Sequence, residues 1–93
     1  MKYFLVLQEN ERQTLRILPP GLKKKIRNGL DEILSDPLCG KALIEELAGF
    51  RSYKVGTIRM VYKIEKNAIH LIAIGPRKNI YQRAISELRR KEE

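Results

Sequence analysis

Arg51–Tyr81 reads RSYKVGTIRMVYKIEKNAIHLIAIGPRKNIY, and this stretch decides the fold. Three runs follow one another: RSYKV (51–55), TIRMVYKI (57–64) and AIHLIAIG (68–75). They are rich in Ile, Val and Tyr and are bounded by Gly56-Thr57, Glu65-Lys66-Asn67 and Gly75-Pro76. Such runs between turn-forming clusters predict an antiparallel meander. In the middle run Ile58, Met60, Tyr62 and Ile64 share one face, and Arg59, Val61 and Lys63 the other, because side chains alternate along a strand. The third run is apolar on both faces, as expected of a strand covered on both sides with further strand beside it. Lys54 ends the first run, Arg59 lies inside the second, Arg77 follows the third, and Tyr81 stands four residues beyond. A folded meander can bring these four onto one surface.

Upstream, Lys2–Leu7 (KYFLVL) is a short apolar run that predicts a strand in the same sheet. Glu9–Leu18 predicts a helix, with Asn10 as a candidate N-cap and a thin stripe of Leu15 and Leu18. Pro19-Pro20-Gly21 ends it. Leu22, Ile26, Leu30, Ile33 and Leu34 then make one apolar helical face. Pro20 suits the first turn of that helix. Ser35-Asp36-Pro37 stops it, because the residue before a proline avoids helical geometry. Asp36–Gly49 is a connector, expected to tuck onto the core through Leu43, Ile44 and Leu47. Beyond Asn79, a candidate cap, Tyr81, Ala84, Ile85 and Leu88 form a helical stripe with Arg83, Arg89, Arg90 and Lys91 on the polar side. The expected fold is thus α+β, one small domain over residues 1–93. Its order is strand, two helices packed on one face of an antiparallel sheet, the three-strand meander, and a C-terminal helix.

Composition narrows the function. At 93 residues there is room for one modest core. With 43% hydrophobic and 32% charged residues the chain is too apolar for disorder. No apolar run approaches the ~20 residues that span a bilayer. The N-terminal run lacks the length and the small-residue cleavage site of a secretory signal, so the cytoplasm is the expected location. Cys39 is the lone cysteine and His70 the lone histidine. That excludes an internal disulfide and leaves no metal site, and no Gly-rich phosphate loop or cofactor motif is present. Cys39 has no nearby partner, and His70, between Ile69 and Leu71, reads as a packed or partly exposed strand residue.

Charge points to an anionic partner. The formal net charge is +8, and the pI is near 9.9. Residues 1–46 carry 8 Lys/Arg against 7 Asp/Glu, whereas residues 47–91 carry 11 against 2. The excess sits on the meander and the C-terminal segment, and its clustering favours nucleic acid over solubility alone. Lys23, Lys24, Lys25 and Arg27 decorate the second helix. They read as a solvated face partly offset by Asp31 and Glu32, or as a phosphate patch. Glu45 and Glu46 are the acidic pair close to the basic meander; they read as surface carboxylates, or as holding a general base.

Lys, Arg and Tyr suit one reaction well: RNA cleavage in which a ribose 2′-hydroxyl attacks its own 3′ phosphate. The substrate supplies the nucleophile. The protein must align it, stabilise charge at phosphorus and move two protons. Arg fits phosphate oxygens with a planar fork and stays charged, so it stabilises rather than transfers. A Lys or Tyr transfers a proton only where neighbouring cations lower its pKa. Basic strands with a Tyr also occur in proteins that merely bind RNA.

Leu47-Ala48-Gly49, Lys54-Val55-Gly56, Arg59-Met60-Val61-Tyr62 and Ile74-Gly75-Pro76-Arg77 with Tyr81 together resemble the RelE/ParE superfamily of toxin–antitoxin toxins. The resemblance spans essentially the whole chain; the combined motif is specific, while no single piece is. It implies a helical pair on an antiparallel sheet and a cytoplasmic toxin held in a hetero-oligomer by a small RelB-like antitoxin. In RelE-like members it implies cleavage of mRNA on the ribosome, with no cofactor. By position, Arg59 and Arg77 are implied as phosphate and transition-state arginines, Tyr81 as the tyrosine near the 2′-hydroxyl, and Lys54 as a basic hairpin residue. Arg51, Lys63, Lys78, Arg83, Lys23 and Lys24 are the further candidates for RNA contact. The chain departs from the pattern upstream of Lys54, where Arg51, Ser52 and Tyr53 stand in place of a second catalytic lysine. That leaves Lys54, Tyr81 or Glu46 as general base. Ile80 also stands where some relatives carry a His. The ParE branch shares the fold and inhibits DNA gyrase without nuclease chemistry, which makes it the alternative activity.

Overall fold

The computed structural model describes residues 3–76 and 79–92. Strand β1 (Phe4–Leu7) leads into α1 (Glu9–Ile17) and α2 (Pro20–Ser35). A connector of two single-turn 3₁₀ helices, Pro37–Cys39 and Glu45–Leu47, flanks a two-residue strand β2 (Lys41–Ala42). The meander is β3 (Phe50–Val55), β4 (Ile58–Glu65) and β5 (Ala68–Pro76), and α3 (Ile80–Glu92) closes the chain. The five strands form one sheet in the order β1-β5-β4-β3-β2.

The expected α+β class and meander hold, with two differences in the sheet. It is mixed, because β1 lies parallel to β5, pairing Phe4 with Ala68 and Leu7 with Leu71. It also gains β2, which pairs Lys41 and Ala42 antiparallel to Ser52 and Arg51. Lys2, expected to begin β1, lies outside the described residues.

Helix α2 starts with Pro20 at its first positions, where a missing N–H costs nothing, and stops at Asp36, whose extended backbone (φ −143°, ψ 87°) precedes Pro37. Helix α1 begins at Glu9, as expected, but its N-cap is Gln8, and Asn10 lies inside the first turn. Helix α2 packs Ile26, Leu30 and Ile33 against Met60, Tyr62, Ile69, Leu71 and Ile74 on one face of the sheet. On the opposite face α3 packs Ile80 and Ala84 against Phe50, Val61, Ile72 and Ala73. Strand β5 is therefore covered on both sides, as its composition anticipates. In the connector Leu47 is buried and Leu43 partly so, but Ile44 is 75% exposed and does not join the core.

Register positions the site. Lys54 faces Arg59 across the β3–β4 hairpin, and Arg59 faces Gly75 across β4–β5. Directly opposite residues of an antiparallel pair project to the same face. Ser52 faces Val61, whose side chain lies in the α3 core, so Ser52, Lys54, Arg59 and Gly75 all belong to the α3 face.

Candidate functional site

Ser52 is the centre of the site. It is a polar residue only 3% exposed, set in β3 beneath the first turn of α3. Arg59 Nη1 donates to Ser52 Oγ at 3.1 Å, and the Tyr81 hydroxyl donates to the same oxygen at 3.3 Å. The Arg59 guanidinium carbon stands 6.0 Å from the centroid of the Tyr81 ring, a distance at which cation and ring attract. A serine oxygen has two lone pairs, so it can accept from both groups at once. Arg59 Nε is buried with no hydrogen-bond partner among the described residues. Leaving a buried charged donor unsatisfied is costly, and an anion is the ligand that would satisfy it.

Two of the four catalytic candidates therefore converge, and Lys54 belongs to the same row of the sheet, exposed at the hairpin. Arg77 and the RNA-contact candidate Lys78 lie outside the described residues. The other candidates sit as follows. Arg51 projects to the opposite face, where its Nη1 donates to Gly40 O at 2.7 Å and Leu38 O at 3.3 Å, tying the connector to the sheet. Lys63 is exposed farther along β4, with its ammonium 5.8 Å from the Phe50 ring centroid. Arg83 donates from Nη1 to Ile74 O at 3.3 Å, at the end of β5. Lys23 donates to Arg16 O at 3.0 Å and Lys24 is exposed; both ride on α2, on the other side of the sheet from Tyr81.

Glu46 borders a groove of about 250 Å³ that Tyr81, Ile85, Leu43 and Leu47 also line. Its carboxylate pairs with Arg89 at 3.3 Å, both groups being largely exposed. Glu45, just before it, adopts a left-handed backbone (φ 58°), a conformation with a cost for a residue that has a Cβ. His70 is half-buried and 3.6 Å from Glu65, away from Tyr81. Desolvation, then Asp36 and Glu32, push up the pKa of the Cys39 thiol, which is exposed.

Nothing in the sequence singles out Ser52, which is one of three residues, with Arg51 and Tyr53, that precede Lys54. Alternation does place it on the side of Lys54, but only α3 packing brings Tyr81 over it.

This geometry can be set beside known proteins. The model of the ParE-like toxins of type II bacterial toxin–antitoxin systems matches residues 5–84. The chain belongs to this family. No curated protein sequence matches it. Among solved structures, this ParE-like toxin is similar to a chain of the RelBE2 toxin–antitoxin complex of Mycobacterium tuberculosis. The identity is 27%, with a TM-score of 0.72 over 83% of this chain and all of that one. A doubly substituted RelE toxin of E. coli in the free state is 20% identical, with a TM-score of 0.77 over 95% of this chain and 99% of that one. A chain of the archaeal RelE–RelB complex of Pyrococcus horikoshii is 17% identical, with a TM-score of 0.69 over 84% and 98%. The last two likenesses establish the fold, and the superfamily expected from the motifs is the one found. Among the described residues no helix is long and apolar enough to cross a membrane.

Proposed function

We propose that this toxin is a ribosome-dependent endoribonuclease that cleaves mRNA by attack of a 2′-hydroxyl on the adjacent phosphate. The observation that carries the reading is the convergence of the Arg59 guanidinium and the Tyr81 hydroxyl on Ser52 Oγ. Arg59 and Arg77 hold the phosphate and oppose the charge that grows as the 2′-oxygen attacks. Lys54 or Tyr81 exchanges protons with the ribose or the leaving oxygen. The chain acts as one domain in the cytoplasm, and a small RelB-like antitoxin silences it. In support of that partner, similar toxin chains occur in the RelBE2 and RelE–RelB toxin–antitoxin complexes.

A second reading, inhibition of DNA gyrase without cleavage, has two observations in its favour. The matching family model is the ParE-like one, and Arg51, Ser52 and Tyr53 stand upstream of Lys54, where RelE-like nucleases often carry a pair of lysines.

Single-turnover mRNA cleavage on programmed ribosomes, run beside a gyrase supercoiling assay, tests both. Arg59→Ala, Arg77→Ala and Tyr81→Phe are expected to cleave on the order of 10²–10³ more slowly at saturating toxin. Wild-type rates in all three would remove the site assignment. Absence of cleavage by the wild type, with supercoiling blocked, would establish the gyrase reading instead.

A further inference from the structure

At the end of the sheet beyond Ser52, α3 adds Arg83, a residue outside both the family motif and the Ser52 cluster, to a row of motif positions. Lys54, Arg59 and Gly75 occupy one cross-strand row on β3, β4 and β5. Gly75 offers no side chain, and the space where one would stand is taken by Arg83 from α3. A Cβ built on Gly75 would lie 2.6 Å from Arg83 Nη1 and 3.7 Å from Ile80 Cδ1. Arg83 is held there by its hydrogen bond to Ile74 O, while the residue as a whole remains exposed. Paired positions bring Cβ atoms to within about 5 Å, so Arg83 Nη1 takes the register position next to Arg59 on β5, as Lys54 does on β3, while the Arg59 guanidinium itself reaches to Ser52. With strands roughly 4.8 Å apart, the row spans on the order of 10 Å. Like charges opposite one another destabilise a sheet, and neither Lys54 nor Arg59 has an ion-pair partner among the described residues.

We propose that Lys54, Arg59 and Arg83 form a row that takes consecutive phosphates of one RNA strand laid across the strands, and that Gly75 is the positioning residue that admits Arg83 to it. The identity of the ligand rests on the ribonuclease reading above; the geometry of the row does not. Arg59 grips the phosphate next to Tyr81, and Lys54 and Arg83 fix the direction of the strand on either side. Gly75 acts through Arg83. Its backbone lies in extended β5 without positive φ, so alanine is conformationally allowed there, but its methyl displaces the guanidinium. The far end of a flexible arginine can move aside, which leaves the fold intact.

The test is binding of a fluorescent, uncleavable 2′-O-methyl RNA oligonucleotide across a salt series, for wild type, Arg83→Gln, Gly75→Ala and the double variant. Glutamine removes the charge and keeps an amide N–H donor on a shorter side chain. The slope of log affinity against log salt is expected to fall in magnitude by about one in each single variant. The double variant is expected to match Arg83→Gln, because Gly75 has nothing further to contribute once the charge is gone. Wild-type slope in Arg83→Gln, no binding by wild type, or additive losses in the double variant would each overturn the proposal. If Gly75→Ala unfolds, Arg83→Gln alone still decides whether Arg83 belongs to the row. The expected binding pattern from a toxin that leaves mRNA intact on ribosomes would keep the row and reject the nuclease.

Discussion

Among the described residues Tyr62 is the largest fully buried side chain, and it holds the connector in place. Its hydroxyl donates to Pro37 O at 2.6 Å and accepts from Gly40 N–H at 3.1 Å, closing the turn after α2 onto β4. Burial is the main cause that pushes its pKa up to about 12 from the ordinary 10. The unfolded chain therefore ionises Tyr62 first as pH rises. The stability it contributes is fully present below pH 10 and is lost between about pH 10 and 12. Tyr62→Phe keeps the ring and orphans a buried carbonyl and N–H, at a cost of about 1–3 kcal/mol. It is expected to weaken the steep alkaline loss, to which Tyr53 and Cys39, whose pKa values desolvation also raises, contribute as well. Urea unfolding at pH 8 and pH 11 checks both, and an unchanged pH dependence in the variant would refute the assignment. The sequence identifies Tyr62 as a motif tyrosine and Arg51 as a candidate for RNA contact. It cannot say that each spends its polar end on the connector, because Pro37, Leu38 and Gly40 are distant in the chain and approach only through β4 and α2. Ser52 is obscure for a similar reason: its chemistry belongs to two side chains from other elements.

At the scale of elements, the meander and α2 are legible because each carries its own period. In β4 the alternation of Met60 and Tyr62 with Arg59 and Val61 survives intact into the structure. Strand β5 hides its period for a physical reason. The register shifts between Val61, opposite Ala73, and Tyr62, opposite Leu71, leaving Ile72 between them. Ile72 and Ala73 both meet α3, while Leu71 and Ile74 meet α2, so the faces exchange parity along the strand. The parallel pairing of β1 is equally silent, because four residues announce a strand but not its neighbour or direction. Strand β2 is silent altogether, since Lys41 and Ala42 are both exposed and show no pattern. Helix α3 links this level to the site. Ala84 is completely buried under it, one turn from Ile80, and the helix carries Tyr81 to Ser52. Ala84→Leu overfills that contact at a cost of about 1–3 kcal/mol and lifts the helix from the sheet. Cleavage is expected to fall more than in Tyr81→Phe, since Arg59 loses its ring as well. A variant with lowered melting temperature but full activity would show that the seating of α3 does not position Tyr81.

For the molecule as a whole, the sheet divides the cations into two populations. Arg59, Lys54 and Arg83 belong to the face covered by α3, whereas Lys23, Lys24 and Lys25 ride on α2 behind the opposite face. The total charge of +8 does not distinguish them, and neither does their clustering along the chain, because strand pairing decides which side each one takes. The two sets approach each other at the hairpin, where Lys25 and Lys54 line one groove, whereas Arg59 and Arg83 lie with α3, across the sheet from Lys23 and Lys24. On the ribonuclease reading, an mRNA strand held at Ser52 lies on the α3 side of the sheet, away from Lys23 and Lys24. Any anion that α2 meets is then a different segment, as a ribosomal RNA surface would provide. Loss of one such ground-state contact weakens association and lowers the salt slope by about one, without touching the step at phosphorus. Lys24→Ala is therefore expected to raise the toxin concentration needed for half-maximal cleavage while leaving the single-turnover rate at saturation unchanged. Arg59→Ala is expected to do the reverse, slowing the saturated rate, because its contact strengthens as charge develops. Measuring both quantities for both variants separates the faces. A slowed saturated rate in Lys24→Ala would mean that α2 reaches the reacting phosphate, and that the two faces act as one surface.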